Sequence, residues 1–479
     1  MKASKIILKD YLHFKKGLEI DLTYPIGHKK AGQPLDRVCF LGQSGTGKTT
    51  LLNIIKCFSC GEEEYDKSNI ATEKLKKDSV TVFFKAGKLS FSKTSLGKDL
   101  KFDWWDYSRT PRKKITNSEE FLKKEIEPQL KNRSHLLLNF PFCVVGPHDI
   151  PNGKQGEHEK GVTKFNIPSP NIDKFIASKG EIADKPFSDR MVWDFNHSNI
   201  RAIWNIVFNK VSVYISEYNK RKLLFAEKSL DKITEANEYK GEFEKWEKEN
   251  PNPILELSEK FLNPILEHFS LEVETDIRKY PVDTSDKEKY VIIKSKNNGE
   301  VVEYPFLSTG TKQIMLTGIP LFFLKPQKSI ILFDQPETSL YPNIQLSLPE
   351  IYFNIASDTN QFFFATHSPI VASAFDPWEI VELRFDTSNG EVYRKEYYEG
   401  NKKARKQSSY TINPKLLRWD SSYKILFDTP VEGNSERGNE LMALATLESK
   451  IKKLKTNGAQ KKKMVDEYKA LAKKLDWNN

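Results

Sequence analysis

The chain has 479 residues, 29% charged and 38% hydrophobic, with a net charge of +10. That is more than one ordinary hydrophobic core holds, so two or three subdomains are expected. No run of about 18 apolar residues occurs, four cysteines are too few for a disulfide framework, and charge breaks the N-terminal Met-Lys-Ala-Ser-Lys too early for a signal peptide. These features exclude a membrane span and a disulfide-stapled secreted scaffold, and a cytoplasmic location is expected.

In chain order, Ile6-Ile7-Leu8 and Leu18 to Leu22 alternate as two strands. The apolar run Val38 to Leu41 reads as a buried strand. It feeds Gly42-Gln43-Ser44-Gly45-Thr46-Gly47-Lys48-Thr49-Thr50, after which Leu51, Leu52, Ile54 and Ile55 recur at helical spacing. This is a phosphate loop between a strand and a helix. Its glycines let several backbone N–H groups face one phosphate chain, and the helix adds the positive end of its dipole. Lys48 is placed to reach the β- and γ-phosphates, and the Thr49 hydroxyl to ligate Mg²⁺. Cys57 and Cys60 make a lone C-x-x-C on that helix with no second pair to complete a zinc site, so inert thiols are expected.

Residues 61–70 are polar and acidic, a surface loop. Val80 to Phe84 and Leu89 to Phe91 read as a hairpin around Gly87, and Phe102 to Tyr107 as a further strand. A basic loop, Arg109 to Lys114, precedes a helical pattern over 117–131. Leu136 to Val145 is β-like, and 146–170 is Gly-, Pro- and Asn-rich loop. Residues 197–268 are mostly helical, with too short an uninterrupted stretch for a long coiled-coil arm. Two short strands follow, at Leu271 to Val273 and Tyr290 to Ile293.

Three further motifs come next. Phe306-Leu307-Ser308-Thr309-Gly310 precedes an apolar helix beginning near Ile314. Ser329 to Phe333 is a buried strand ending in Asp334-Gln335-Pro336-Glu337, followed by Ser339-Leu340-Tyr341-Pro342. Gln361 to Ala365 is another buried strand, ending in Thr366-His367-Ser368-Pro369.

With the phosphate loop, these four motifs in this order resemble the ATP-binding-cassette (ABC) class of P-loop ATPases in its non-transporter branch. Within it the chain is similar to the overcoming-lysogenisation-defect type and to the ATPase subunits of anti-phage systems such as Septu. The resemblance covers residues 1–56 and about 258–385. It implies ATP and Mg²⁺ as cofactors, with Mg²⁺ held by Thr49 and Asp334. Ser308 and Gly310 resemble the signature that binds the γ-phosphate of ATP held by a second subunit. His367 resembles the switch histidine, and Ser339 to Pro342 the loop that crosses the dimer interface, with Tyr341 where histidine is usual. The implied assembly is a homodimer or higher homo-oligomer that closes on ATP.

The family's catalytic glutamate follows the aspartate of the second motif; here that position is Gln335, which is no base. Three accounts stay open: a slow ATPase that uses ATP as a clamp, Glu337 taking the catalytic role, or a Glu-to-Gln substitution that traps ATP.

The expected fold is α/β, a P-loop ABC ATPase head. A mixed sheet with flanking helices and an antiparallel β subdomain would carry a helical lobe and a C-terminal helical extension. Residues 1–105 would form the N-terminal lobe, 106–196 an insertion, 197–268 the helical lobe, 269–385 the rest of the head, and 386–479 a hairpin and the extension. In the last segment, Ile380 to Tyr397 reads as a hairpin and residues 400–410 are basic. Leu441, Leu444, Leu447, Ile451 and Leu454, then Met464, Tyr468, Leu471 and Leu475, form two apolar faces of a helical hairpin. Lys450 to Lys474 is either a solvated face or a nucleic-acid contact. No H-N-H constellation occurs, so an effector nuclease or toxin in anti-phage defence is expected as a separate partner; a DNA-repair or chromosome-maintenance ATPase head, or an ATP-stabilised scaffold, stays open as the alternative.

Overall fold

The computed structural model describes residues 2–59, 80–86, 89–96, 99–106, 113–115, 136–140, 164–166, 191–194, 214–227, 233–279, 288–302, 306–324, 326–356, 358–395, 413–416, 435–453 and 459–475. The helix expected over 117–131, the loop over 61–70, most of that over 146–170, Cys60 and the basic run 400–410 lie outside them. Two units are distinguished, Met1–Leu416 and Leu417–Asn479.

In the first unit, β1 (Lys2–Leu8) and β2 (Leu18–Asp21) form the antiparallel hairpin that their alternation predicts. β3 (Arg37–Gly42) is buried beyond Arg37, and α1 (Lys48–Ser59) follows the phosphate loop. β4 (Val80–Ala86), β5 (Leu89–Leu96), β6 (Asp99–Asp106) and β7 (Lys113–Ile115) continue as a meander. β7 takes up the end of the expected basic loop. Because β4 pairs with β1, these strands make one antiparallel sheet, ordered β2-β1-β4-β5-β6-β7.

The central sheet adds β8 (Leu136–Phe140), β10 (Met191–Asp194), β14 (Ile330–Asp334), β15 (Gln361–Thr366), β16 (Ile380–Asp386) and β17 (Glu391–Arg394) to β3. Its order is β10-β8-β14-β15-β3-β16-β17, parallel except for β17. Two small pairs complete the strands: β9 (Lys164–Asn166) with β12 (Glu288–Tyr290), and β11 (Leu271–Val273) with β13 (Ile293–Ser295).

Two expected boundaries are corrected by this topology. The stretch 106–196 is not only an insertion, because β8 and β10 from it extend the central sheet beside β14. The head also does not end at 385, because the hairpin β16–β17 closes the other side of the sheet against β3. In both cases hydrogen bonding to strands distant in sequence overrides segmentation by composition.

One core cluster holds the two sheets and α1 together. It gathers Ile6, Ile20, Val82 and Phe84 of the antiparallel sheet, Leu51, Leu52, Ile55 and Phe58 of α1, and Phe40, Leu332 and Phe363 of the central sheet. Each such side chain contributes roughly 1.5–3 kcal/mol when fully buried. A fully buried Gln361 at the start of β15 ties the sheets further: its Nε2 donates to the carbonyls of Ala3 and Leu35, both 2.8 Å away, and its Oε1 accepts from the Ala3 N–H at 2.6 Å.

The helical part runs through α2 (214–227), α3 (Ile233–Glu249), α4 (Pro253–Leu257) and α5 (Asn263–Leu266). A π turn, Ser258–Leu262, joins the last two. Pro264 explains it: proline has no N–H to donate, and its ring crowds the carbonyl four residues back, so the helix widens there. α6 (Thr309–Leu324) is apolar almost throughout and sits in the interior. Its Gly318 accommodates Phe261 of the π turn. α7 (Pro342–Ile355) stacks Tyr352 on Phe333 of β14 with ring centroids 4.5 Å apart, and α8 (Pro369–Ala372) follows β15.

The second unit is the expected helical hairpin, α9 (Ser435–Lys453) and α10 (Ala459–Lys474), with Leu444 and Leu475 buried and Lys474 paired with Glu440. Among the described residues no helix is long and apolar enough to cross a membrane.

Candidate functional site

The order β14-β15-β3 places three strand ends side by side at the C-terminal edge of the central sheet. From them come Asp334, His367 and the phosphate loop. This edge is where parallel α/β sheets present ligand-binding loops.

The loop's glycines have separate reasons. A Cβ on Gly42 would lie 2.5 Å from the Leu383 carbonyl oxygen of the neighbouring strand. Gly47 has φ +80°, a conformation that side chains disfavour, and a Cβ there would lie 2.4 Å from Phe14 Cζ. Gln43, Ser44 and Gly45 are exposed. Thr46 is buried and its hydroxyl donates to the Gln43 carbonyl at 2.8 Å, which holds the turn closed. Thr50 is half-buried on the first turn of α1.

Lys48 is buried. Its ammonium donates to the carbonyls of Gly42 and Gln43, each at 2.9 Å, and lies 3.2 Å from His367 Nδ1. His367 Nδ1 also lies 2.9 Å from the Gly42 carbonyl, so it accepts from Lys48 when the imidazole proton is on Nε2 and donates to Gly42 when it is on Nδ1. Burial lowers the Lys48 pKa to about 8, against an opposing pull from Asp334 and Glu337. Burial and the neighbouring Lys48 also lower the His367 pKa, which favours the neutral ring.

Thr49 donates to Asp334 Oδ2 at 2.8 Å, so the two expected Mg²⁺ ligands already meet. The other oxygen, Oδ1, is buried with no hydrogen-bond partner among the described residues, and burial raises the Asp334 pKa. Immediately after it, Gln335 has φ +49°, in the left-handed region. Its N–H donates to the Ala365 carbonyl at 2.8 Å, and its carbonyl accepts from the Thr338 N–H and hydroxyl. A non-glycine residue held this way costs of order 1–3 kcal/mol and tends to occur at functional sites.

Glu337 lies beneath. Its Oε1 accepts from the Thr366 hydroxyl and from the His367 N–H at 3.3 Å, while Oε2 is buried and unpartnered. Burial raises its pKa. Its carboxylate therefore pins the end of β15 to the loop after β14, a contact invisible in sequence.

Ser308 is exposed and caps α6, with Oγ accepting from the Thr311 N–H at 3.1 Å. Gly310 lies against the loop after Glu337: a Cβ on it would be 2.7 Å from Ser339 O and 2.9 Å from Leu340 Cδ2. The structure thus brings together Lys48, Thr49, Asp334, Glu337 and His367. Gly310 instead packs against Ser339 and Leu340, and Ser308 caps α6. Phe306 and Tyr341 beside them are among the most exposed aromatics described, at 78% and 67%.

These residues fit a triphosphate and Mg²⁺: a glycine cradle that a Cβ would fill, a buried cation on it, and a carboxylate with a free buried oxygen. Residues 153–373, a little under half the chain, match the family described as "AAA domain, putative AbiEii toxin, Type IV TA system". The chain has a P-loop ATPase fold. Among curated proteins none matches. Solved structures similar to it include an Smc head domain with an extended coiled coil from Pyrococcus furiosus, bound to the C-terminal domain of ScpA. That structure is 15% identical, covering 82% of this chain and 95% of its own, with a TM-score of 0.39. The SMC head domain from Thermotoga maritima is 12% identical, covering 82% of this chain and 98% of its own, with a TM-score of 0.35. An SmcHead bound to the C-winged helix domain of ScpA is 13% identical, covering 82% and 97%, with a TM-score of 0.38.

Sequence reasoning missed Phe14, Thr366 and Gln345 as neighbours of this site. Phe14 and Gln345 lie in no motif and follow no periodicity that would have marked them. Thr366 stood beside His367 in its motif without a role.

Proposed function

We propose that this chain is an ABC-type ATPase subunit that pairs with a second copy around ATP and regulates a separate effector nuclease or toxin in anti-phage defence. The observation that supports it most is the meeting of Lys48, Thr49, Asp334 and His367 at one sheet edge, next to the unpartnered oxygens of Asp334 and Glu337. Lys48 and the loop N–H groups bind the phosphates. Thr49 and Asp334 would hold Mg²⁺, which would supply positive charge to the phosphates. His367 contacts the γ-phosphate. Gln335 orients the attacking water, and Glu337 Oε2, on a carboxyl whose pKa burial has raised, takes its proton. Ser308 and Gly310 of one copy complete the site of the other, in line with the exposure of Ser308. The family description, with its toxin–antitoxin association, supports a defence role.

Gln335 favours a second reading, in which ATP chiefly stabilises the assembled form and hydrolysis is slow.

The test is ATP turnover and light-scattering mass of the purified protein with ATP and Mg²⁺, with either alone and with neither. Dimerisation on ATP is expected, with Ser308→Arg remaining monomeric yet still binding ATP. Glu337→Ala is expected to lower turnover at least about tenfold with ATP binding retained. Unchanged turnover would dismiss Glu337 as the base, and a wild-type chain that stays monomeric would dismiss the paired site.

A further inference from the structure

A line of polar contacts leaves the nucleotide site and ends at the signature. His367 touches Lys48, and its own N–H is held by Glu337. The next residue, Ser368, caps α8, its hydroxyl accepting from the Val371 N–H at 3.3 Å. That same hydroxyl donates to Gln345 Oε1 at 2.7 Å. The other end of the Gln345 amide, Nε2, donates to the Leu340 carbonyl at 2.8 Å. Leu340 and Ser339 are the residues against which Gly310 lies.

Among the described residues, the Gln345 side chain thus bonds both the switch-histidine segment and the loop under the signature. It sits half-buried on the first turn of α7, and its backbone N–H donates to the Tyr341 carbonyl at 3.1 Å. The two side-chain bonds need one donor and one acceptor on a planar group of fixed span. Glutamate keeps the acceptor and loses the donor; leucine keeps neither.

We propose that Gln345 is a positioning residue that couples phosphate occupancy at Lys48 and His367 to the placement of Ser308 and Gly310 for the second copy. This rests on the paired-site reading above. A phosphate that engages Lys48 and His367 changes the contacts of the His367 ring with Lys48 and the Gly42 carbonyl, and so what holds the 366–368 segment. Ser368 passes that change to Gln345, Gln345 to Leu340, and Leu340 to Gly310. Coupling of this kind is a free-energy linkage between two sites and is measured as one.

The experiment compares Gln345→Leu, Gln345→Glu, Ser368→Ala and the Gln345→Leu/Ser368→Ala pair. Two readouts are taken on the full chain: affinity of the monomer for ATP by titration at low protein concentration, and the ATP concentration that half-assembles the dimer by light scattering. Gln345→Leu is expected to leave ATP affinity within about twofold while raising the half-assembly concentration about tenfold or more. Gln345→Glu falls between it and wild type. The pair is no worse than Gln345→Leu alone, because both changes cut one line of contacts.

A merely structural role would move the two readouts together with thermal stability, and that result overturns the proposal. So do additive effects in the pair, or an unchanged half-assembly concentration in Gln345→Leu. Ser368→Ala gives the same decision should Gln345→Leu fail to fold. Wild-type protein that never assembles on ATP overturns the paired-site reading and this proposal together, whereas assembly that ignores Gln345 overturns this proposal alone.

Discussion

Titrating Lys48 should weaken nucleotide binding at mildly alkaline pH. Its pKa is lowered to about 8 by burial. The triphosphate's negative charge favours the ammonium, so the complex keeps the proton while the free protein loses it as pH rises through that value. The charged fraction of the free protein falls from about three quarters at pH 7.5 to about one tenth at pH 9. Affinity for ATP should therefore drop about eightfold over that interval, or about 1.2 kcal/mol. An ordinary lysine, with a pKa near 10.4, would leave it almost flat. The neighbours are less able to supply this signal: burial and Lys48 hold His367 towards its neutral form, and burial raises the Cys39 thiol well above its usual range. Calorimetry in two buffers of different ionisation enthalpy measures both the affinity and the protons taken up on binding. Proton uptake should grow with pH and vanish in Lys48→Arg, whose charge is permanent. A wild-type affinity that is constant from pH 7.5 to pH 9, with no uptake, would refute the reasoning.

Two further outcomes are expected from close packing. Gly47→Ala should destabilise the fold by about 1–3 kcal/mol, since φ +80° is retained and the new methyl meets Phe14. Denaturant unfolding measures this, and adding Phe14→Ala should not restore wild-type stability, because the backbone strain remains. Gly318→Ala places a methyl 1.8 Å from Phe261 Cζ. The overpacking costs about 1–3 kcal/mol or more, which exceeds the roughly 1 kcal/mol gained in helix propensity. A melting temperature equal to or above wild type would count against this packing.

Much of the site can be read from sequence because its chemistry is local. Gly42 to Thr49 must be contiguous to wrap one phosphate chain, and the strand before and helix after carry their own periodicity. Asp334 and His367 are legible for a related reason: Asp334 ends a short apolar run and His367 follows another after Thr366, and such runs become buried parallel strands whose ends line one edge. The hairpin of β1 and β2 and that of β4 and β5 follow from alternation alone. The helical hairpin of α9 and α10 follows from its two apolar faces.

Other features depend on partners that no local pattern specifies. Leu136 to Phe140 reads as a strand, but only its hydrogen bonds to β14 make it part of the central sheet instead of an insertion. The bond from Gln361 to Ala3, the meeting of Phe14 with Gly47, and the line from Ser368 through Gln345 to Leu340 each join residues far apart in the chain or unmarked by any repeat. The sequence by itself determined which residues can hold phosphate and metal, since that ability lies in their functional groups and immediate backbone. Only the tertiary structure decided how those groups are tuned and linked, since burial, donor–acceptor pairing and close approach arise once distant segments share one core.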